Sequence, residues 1–137
     1  MLTRRRQART CSLQMLYAFD NCKMPAEEVI NFFRSRFPSG ENYKSFMLTL
    51  FNGVCLNQIE IDALIKKYAK NWEIDRMAAV DRNIIRIAVY EIIKMPETPI
   101  NVIIDEAVEI SKKYSTDDSS KFVNGILDKI KLVREIK

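Results

Sequence analysis

The sequence predicts an all-α fold, a bundle of six or seven helices built as two subbundles. Apolar residues recur at intervals of three and four along most of the chain, which is the spacing of one helix face. Hydrophobic residues make up 47% of the 137 residues, only three glycines and four prolines occur, and no segment alternates as a strand would. We therefore expect residues 1–137 to form a single helical domain.

The first half of the chain predicts three helices. The first spans Thr3–Cys22, and the second begins at Pro25 with two glutamates in its first turn and stops before Gly40. The third is a long helix over Asn42–Lys70, which we expect to bridge the two subbundles. Within it Gly53 weakens the helix by about 1 kcal/mol relative to alanine, unless a neighbouring side chain packs close to it.

The second half predicts the remaining helices. The pattern breaks around Trp72, and a short turn from Arg76 leads into a helix that ends near Met95. Thr98 is the expected N-cap of the next helix, and a polar link after Tyr114 precedes the last helix.

The net charge of +4 lies in the first nine residues, which hold Arg4, Arg5, Arg6 and Arg9 and no acid; the other 18 basic residues balance 18 acidic ones. Cations at a helix N-terminus oppose the helix dipole, so this placement suggests a purpose beyond folding. Guanidinium groups match phosphate oxygens and stack on bases, which points to a polyanion such as nucleic acid. The alternative is a solvated helix start or tail.

The composition argues against catalysis, a metal and a cofactor. Histidine is absent, the three glycines are isolated, and Cys11, Cys22 and Cys55 have no metal-ligand spacing. The cysteines are expected to be reduced, and no run of about 20 apolar residues is present, so we expect a soluble, cytoplasmic protein.

Two further clusters are informative. Arg82, Arg86 and Tyr90 share one helix face, and with Glu91 and Glu106 they are expected to form an ion-pair network rather than a ligand site. The segment 120–125 brings a lysine, a phenylalanine and an asparagine to a helix start, which suits single-stranded nucleic acid. The structural alternative places the phenylalanine in the core.

The chain resembles the NusB family over nearly its whole length. The resemblance rests on Arg5-Arg6-Gln7-Ala8-Arg9, Leu16-Tyr17, Trp72, Arg76, the segment from Asp81 to Glu91, Pro99, the segment from Ile104 to Ile110 and the segment from Ser120 to Asp128. Residues 25–71 carry little of it.

The resemblance implies a non-enzymatic transcription antitermination factor. Such a protein pairs with NusE, a small-subunit ribosomal protein, binds single-stranded boxA RNA of ribosomal RNA leaders, and joins the transcription elongation complex. The implied RNA contacts are Arg5, Arg6, Arg9, Asp118, Lys121 and Phe122, and the implied surface positions near NusE are Tyr17 and Asp81.

The chain departs from the family at Asp105, and the resemblance permits more than one function. Asp105 stands where the family often has asparagine, and we expect it to be a structural cap or packing partner. The resemblance also leaves open a homodimer, and it permits the RNA-binding domain of a ribosomal RNA cytosine methyltransferase, which would require the chain to be a fragment. A helical protein-interaction domain without RNA is the remaining alternative. We expect charge reversal at Arg6 and Arg9 to weaken RNA binding and to leave the helical content unchanged.

Overall fold

The computed structural model describes residues 4–37, 40–69 and 73–135, and these ranges contain helices and no strand. The elements are α1 (Arg4–Asp20), α2 (Ala26–Arg34), α3 (Glu41–Leu56), α4 (Gln58–Tyr68), a 3-10 turn (Ile74–Arg76), α5 (Ala79–Lys94), α6 (Ile100–Tyr114), α7 (Asp117–Ile130) and the short α8 (Leu132–Glu135). The all-α prediction is confirmed. Pro38, Ser39 and Trp72, where breaks were predicted, lie outside the described residues.

The predicted long third helix is wrong, because it is two helices. The break falls at Asn57, where the backbone N–H donates to the carbonyl of Gly53 at 3.0 Å and the side-chain amide donates to the same carbonyl at 2.7 Å. Asparagine competes in this way with the helical hydrogen-bond ladder, and so it favours helix ends. The chain therefore turns between α3 and α4.

Helix α5 occupies the centre of the bundle. It packs against α1, α3, α4, α6, α7 and α8, and ten of its sixteen residues are buried. One continuous apolar cluster includes residues from α1 through α7. A helix covered on nearly every side has to be apolar on nearly every side, which the run Ile84–Val89 largely provides.

Gly53 of α3 packs against the side chain of Tyr90 on α5. A Cβ atom at this position would lie 2.2 Å from Cζ of Tyr90. The packing condition that the sequence set for a glycine inside this helix is therefore met.

The antiparallel pair α1 and α5 is joined by ion pairs near both ends. At one end Arg9 binds Glu91, and at the other Asp20 accepts hydrogen bonds from Arg82, Asn83 and Arg86 at 2.6–3.1 Å. Burial alone would raise the pKa of Asp20, but the hydrogen bonds from Arg82 and Asn83 and the nearby guanidinium charges outweigh it and lower that pKa.

The expected ion-pair network is present, with different partners. Arg86 forms a bidentate pair with Asp62 of α4 at 2.9 Å and also binds Asp20, whereas Glu91 and Glu106 bind arginines of α1. This network ties α1, α4 and α5 together. None of the helices in the described ranges is long and apolar enough to cross a bilayer.

Two local expectations need correction. The N-cap of α6 is Pro99 rather than Thr98, and no side chain caps this helix. Asp105 is exposed on α6, so it is not the packing partner that the sequence suggested.

Candidate nucleic-acid interface

The first turn of α1 presents two exposed arginines. The guanidinium carbon of Arg4 lies 5.8 Å from the ring centroid of Tyr43, and that of Arg5 lies 4.7 Å from the ring centroid of Phe46. Among the described residues, no carboxylate lies within ion-pair distance of either arginine. The aromatic rings of α3 therefore support the two cations without neutralising them, which leaves the charges available to an anion.

Arg6 is more tightly held. Its Nε and Nη2 donate to the two oxygens of Glu106 at 3.0 and 2.5 Å, and its side chain is 27% exposed. The hydrogen bond to Glu106 raises the pKa of Arg6, and the same bond lowers the pKa of Glu106. The side chain is thus fixed in direction while part of it faces solvent.

Arg9, which was predicted to contact RNA, has a buried side chain. Its side chain is only 4% exposed, and its Nε and Nη2 donate to Glu91 at 3.0 and 2.8 Å. Nη1 lies 3.6 Å from Glu106, and the guanidinium carbon lies 5.3 Å from the Phe46 centroid. Arg9 lies on the face of α1 that packs against α5, so its charge is used inside the protein.

The first turn of α7 holds the second group of predicted contacts. Thr116 caps the helix, because its hydroxyl accepts from the backbone N–H of Ser119 at 3.0 Å. Asp118 and Lys121 are exposed, and Phe122 is half-buried against the core. Phe122 is thus partly a core residue and partly accessible, between the two interpretations that the sequence allowed.

The two predicted partner positions differ in exposure. Tyr17 is 37% exposed on α1, as expected of a surface contact. Asp81 is only 8% exposed, so the prediction that it is a surface residue is wrong. Its Oδ2 accepts from the hydroxyl of Ser119 at 2.9 Å, which joins the start of α5 to the start of α7, while Oδ1 has no hydrogen-bond donor among the described residues.

The arginines and the start of α7 lie at different levels of the bundle. Arg9 meets Glu91 near the end of α5, whereas Ser119 meets Asp81 near its beginning. Asp81 and Glu91 are ten positions apart on α5, which corresponds to about 15 Å along the axis.

The last turn of α6 lies between these two groups, and sequence reasoning missed it. Lys112, Lys113 and Tyr114 share a surface cavity with Arg6 and Thr10 of α1, and α7 begins three residues after Tyr114. The sequence contains a signal for this segment, because two lysines and an aromatic residue directly precede a polar link. Tyr114, however, follows the apolar residues of α6 at helical spacing, which is typical of a core position.

The fold and these side chains define a helical bundle with arginines, lysines and partly exposed aromatic rings on its surface. They lie at the start of α1, in the last turn of α6 and at the start of α7. In the described ranges, no group of three or more His, Cys, Asp or Glu residues is placed to hold a metal ion.

Comparisons with known proteins agree with this class. The model of the NusB family matches residues 6–131. The transcription antitermination protein NusB of Desulforapulum autotrophicum is 43% identical over 134 residues, covering 96% of this chain and 94% of that protein, and the one of Elusimicrobium minutum is 42% identical, covering 96% and 95%. The chain belongs to the NusB family.

Solved structures show the same fold. T. maritima NusB superposes with a TM-score of 0.87 at 35% identity, covering 96% of this chain and 93% of that one. A structure of the antitermination factors NusB and NusE in complex with double-stranded RNA gives a TM-score of 0.86 at 26% identity, covering 97% and 99%.

Proposed function

We propose that this protein is a transcription antitermination factor that binds single-stranded boxA-type RNA of ribosomal RNA leaders together with NusE. It acts in the cytoplasm as one domain, without an enzymatic activity, and promotes processive transcription of ribosomal RNA within the elongation complex. Support comes from membership of the NusB family and from relatives that match nearly the full chain and are transcription antitermination proteins. A solved complex of NusB, NusE and RNA with the same fold adds to it.

The observation that carries the proposal is the pair of exposed cations Arg4 and Arg5, held over aromatic rings and unpaired with any carboxylate of the described residues. Exposed guanidinium groups bind phosphate oxygens in bidentate fashion. Arg6 adds a third cation, oriented by Glu106.

The start of α7 supplies contacts of other kinds. Lys121 is an exposed cation for a phosphate, and the accessible part of the Phe122 ring is a stacking face for a base. Asp118 carries the wrong charge for phosphate, but a carboxylate accepts hydrogen bonds from amino groups on base edges. This end of the surface therefore contacts bases as well as a phosphate, whereas the arginine end binds the backbone.

NusE is expected to dock beside the start of α7. Tyr17 lies one turn before Asp20, which binds the start of α5, and Asp81 connects that start to α7. In this proposal Tyr17 contacts NusE directly, and Asp81 positions the first turn of α7. A shared corner for NusE and RNA would let the partner add its contacts to those of the exposed arginines Arg4 and Arg5.

A fluorescence-anisotropy titration of an A/U-rich, boxA-type single strand tests the proposal. We expect binding to tighten when NusE is added and to weaken with salt, with a slope of log K against log[salt] of about −2 to −3 for three or four phosphate contacts. Absence of RNA binding at low salt, with and without NusE, would overturn the proposal and favour the protein-interaction alternative.

A further inference from the structure

A surface cavity of about 260 Å³ lies between α1 and the last turns of α6. Its walls include Arg6 and Thr10 from α1 and Glu109, Lys112, Lys113 and Tyr114 from α6. Cations on both sides and an aromatic ring at one edge are the components of a site for one nucleotide of a single strand.

Tyr114 has the properties of a stacking platform. It is 38% exposed, and among the described residues no hydrogen bond is made by its hydroxyl group. The ammonium nitrogen of Lys113 lies 5.4 Å from the ring centroid, so one side of the ring has a cation nearby. A ring that is this accessible and this weakly tied to the core can accept a base by stacking.

The lysines of the same turn can bind phosphate. Lys113 is exposed, and no carboxylate of the described residues pairs with it. Lys112 lies 3.5 Å from Glu109, but both side chains are about half exposed, and such a surface pair contributes little stability that a phosphate would have to replace. These cations also offset the partial negative charge at the C-terminal end of α6, which would otherwise repel an anion.

The position of this turn gives it a role in the path of the strand. Arg6 forms one wall of the cavity, and α7 begins three residues after Tyr114. The turn thus lies between the arginine end and the start of α7.

We propose that the last turn of α6 is a third RNA-binding segment, in which Tyr114 stacks on one base and Lys113 binds an adjacent phosphate. It connects the arginine end with the start of α7 into one path for a single strand. This inference rests on the proposed RNA-binding function and adds to it residues outside the two predicted groups.

The test measures the affinity of Tyr114→Leu, Tyr114→Phe and Lys113→Glu for the same single strand in the presence of NusE. Loss of the ring in Tyr114→Leu is expected to weaken binding by about fivefold or more, whereas Tyr114→Phe keeps the stacking face and stays within about twofold of the unmodified protein. Lys113→Glu is expected to reduce the magnitude of the salt slope by about 0.7.

The chain contains a matched control in Lys67 and Tyr68 on α4, where the ammonium nitrogen also lies 5.4 Å from the ring centroid. Neither residue lines the cavity between α1 and α6, so Tyr68→Leu and Lys67→Glu make the same chemical changes outside it. Circular dichroism and urea unfolding of each variant separate loss of binding from loss of fold.

Two results are distinguishable. If Arg5→Glu weakens binding but a folded Tyr114→Leu binds like the unmodified protein, the third segment is overturned and the proposed function stands. If the unmodified protein does not bind RNA, both are overturned.

Discussion

Arg9 of α1 and Glu91 of α5 form a bidentate ion pair that is almost wholly buried, with side chains 4% and 1% exposed. Arg134 of α8 donates to the backbone carbonyl of the same Glu91 at 3.0 Å and to those of Ile92 and Met95. The end of α5 is therefore held from both sides, and the arginine-bearing helix is positioned against it.

The Arg9–Glu91 pair is predicted to be a requirement for folding. Arg9→Ala leaves the buried Glu91 carboxylate without its cation, so it is expected to lower the free energy of unfolding by about 3–5 kcal/mol, measured by urea denaturation. Glu91→Gln is expected to cost less, because Arg9 keeps Glu106 at 3.6 Å. The double variant Arg9→Leu/Glu91→Leu should be markedly more stable than either single variant. A loss below 1 kcal/mol in the single variants would contradict this role.

This relationship also revises the expectation that charge reversal at Arg9 leaves the helical content unchanged. Arg9→Glu would place two carboxylates together in a buried site, so we now expect it to unfold the protein or reduce its helicity. For Arg6, whose side chain is 27% exposed, we still expect charge reversal to leave the helical content unchanged.

Gly53→Ala is predicted to destabilise the protein, although alanine favours helix by about 1 kcal/mol over glycine. The new Cβ would lie 2.2 Å from Cζ of Tyr90, and relieving that overlap costs about 1–3 kcal/mol, which offsets or exceeds the helical gain. In the Tyr90→Leu background the same substitution should cost less or become stabilising. Thermal unfolding of the four proteins measures this coupling, and equal effects in both backgrounds would refute the contact.

Stability is predicted to fall in acid because the pKa values of Glu106 and Asp20 are lowered in the folded protein. The ordinary pKa is 4.5 for Glu106 and 3.8 for Asp20, and both carboxylates bind protons less readily in the folded protein than in the unfolded chain. The stabilisation by these carboxylates is therefore complete when the pH is above their ordinary pKa values. It is lost as the pH falls through the lower pKa values of the folded protein.

Urea denaturation at pH 7, 5, 4 and 3 tests this pH dependence. The free energy of unfolding should decrease from about pH 5 downward, and Glu106→Gln or Asp20→Asn should flatten the decrease while lowering stability at pH 7. A profile that is the same in both variants as in the unmodified protein would exclude these carboxylates as its cause.

Tyr17→Ala is predicted to weaken NusE binding by about tenfold while changing stability little, since exposed tyrosines often dominate protein interfaces. The control is Phe32→Ala, which removes another exposed ring on α2. Isothermal titration calorimetry with NusE compares the two variants, and equal affinities would place the NusE surface elsewhere.

Much of the fold could be predicted from the sequence, because amphipathic spacing is a local property. The helices that carry Leu13–Leu16 and Ile103–Ile110 are read from their spacing alone. The break at Asn57 was missed because its cause is a side-chain bond to the carbonyl of Gly53, which spacing does not report.

The candidate site was predicted less completely, because charge and exposure are different properties. Four arginines near the N-terminus look alike in sequence, but α1 turns Arg9 toward Glu91 and leaves Arg5 exposed. Which face of a helix is covered depends on elements eighty or more residues away. Asp81 illustrates the same limit, since its burial comes from the packing of α7 on α5.

The most direct test of RNA binding by the arginine end compares Arg5→Glu with Lys66→Glu, the same charge change at an exposed position of α4. Anisotropy titration of the boxA-type strand with NusE should show a loss of about tenfold or more and a smaller salt slope for Arg5→Glu, with circular dichroism unchanged and Lys66→Glu close to the unmodified protein. Equal affinities for the two variants would contradict the assignment of the first turn of α1 to RNA binding.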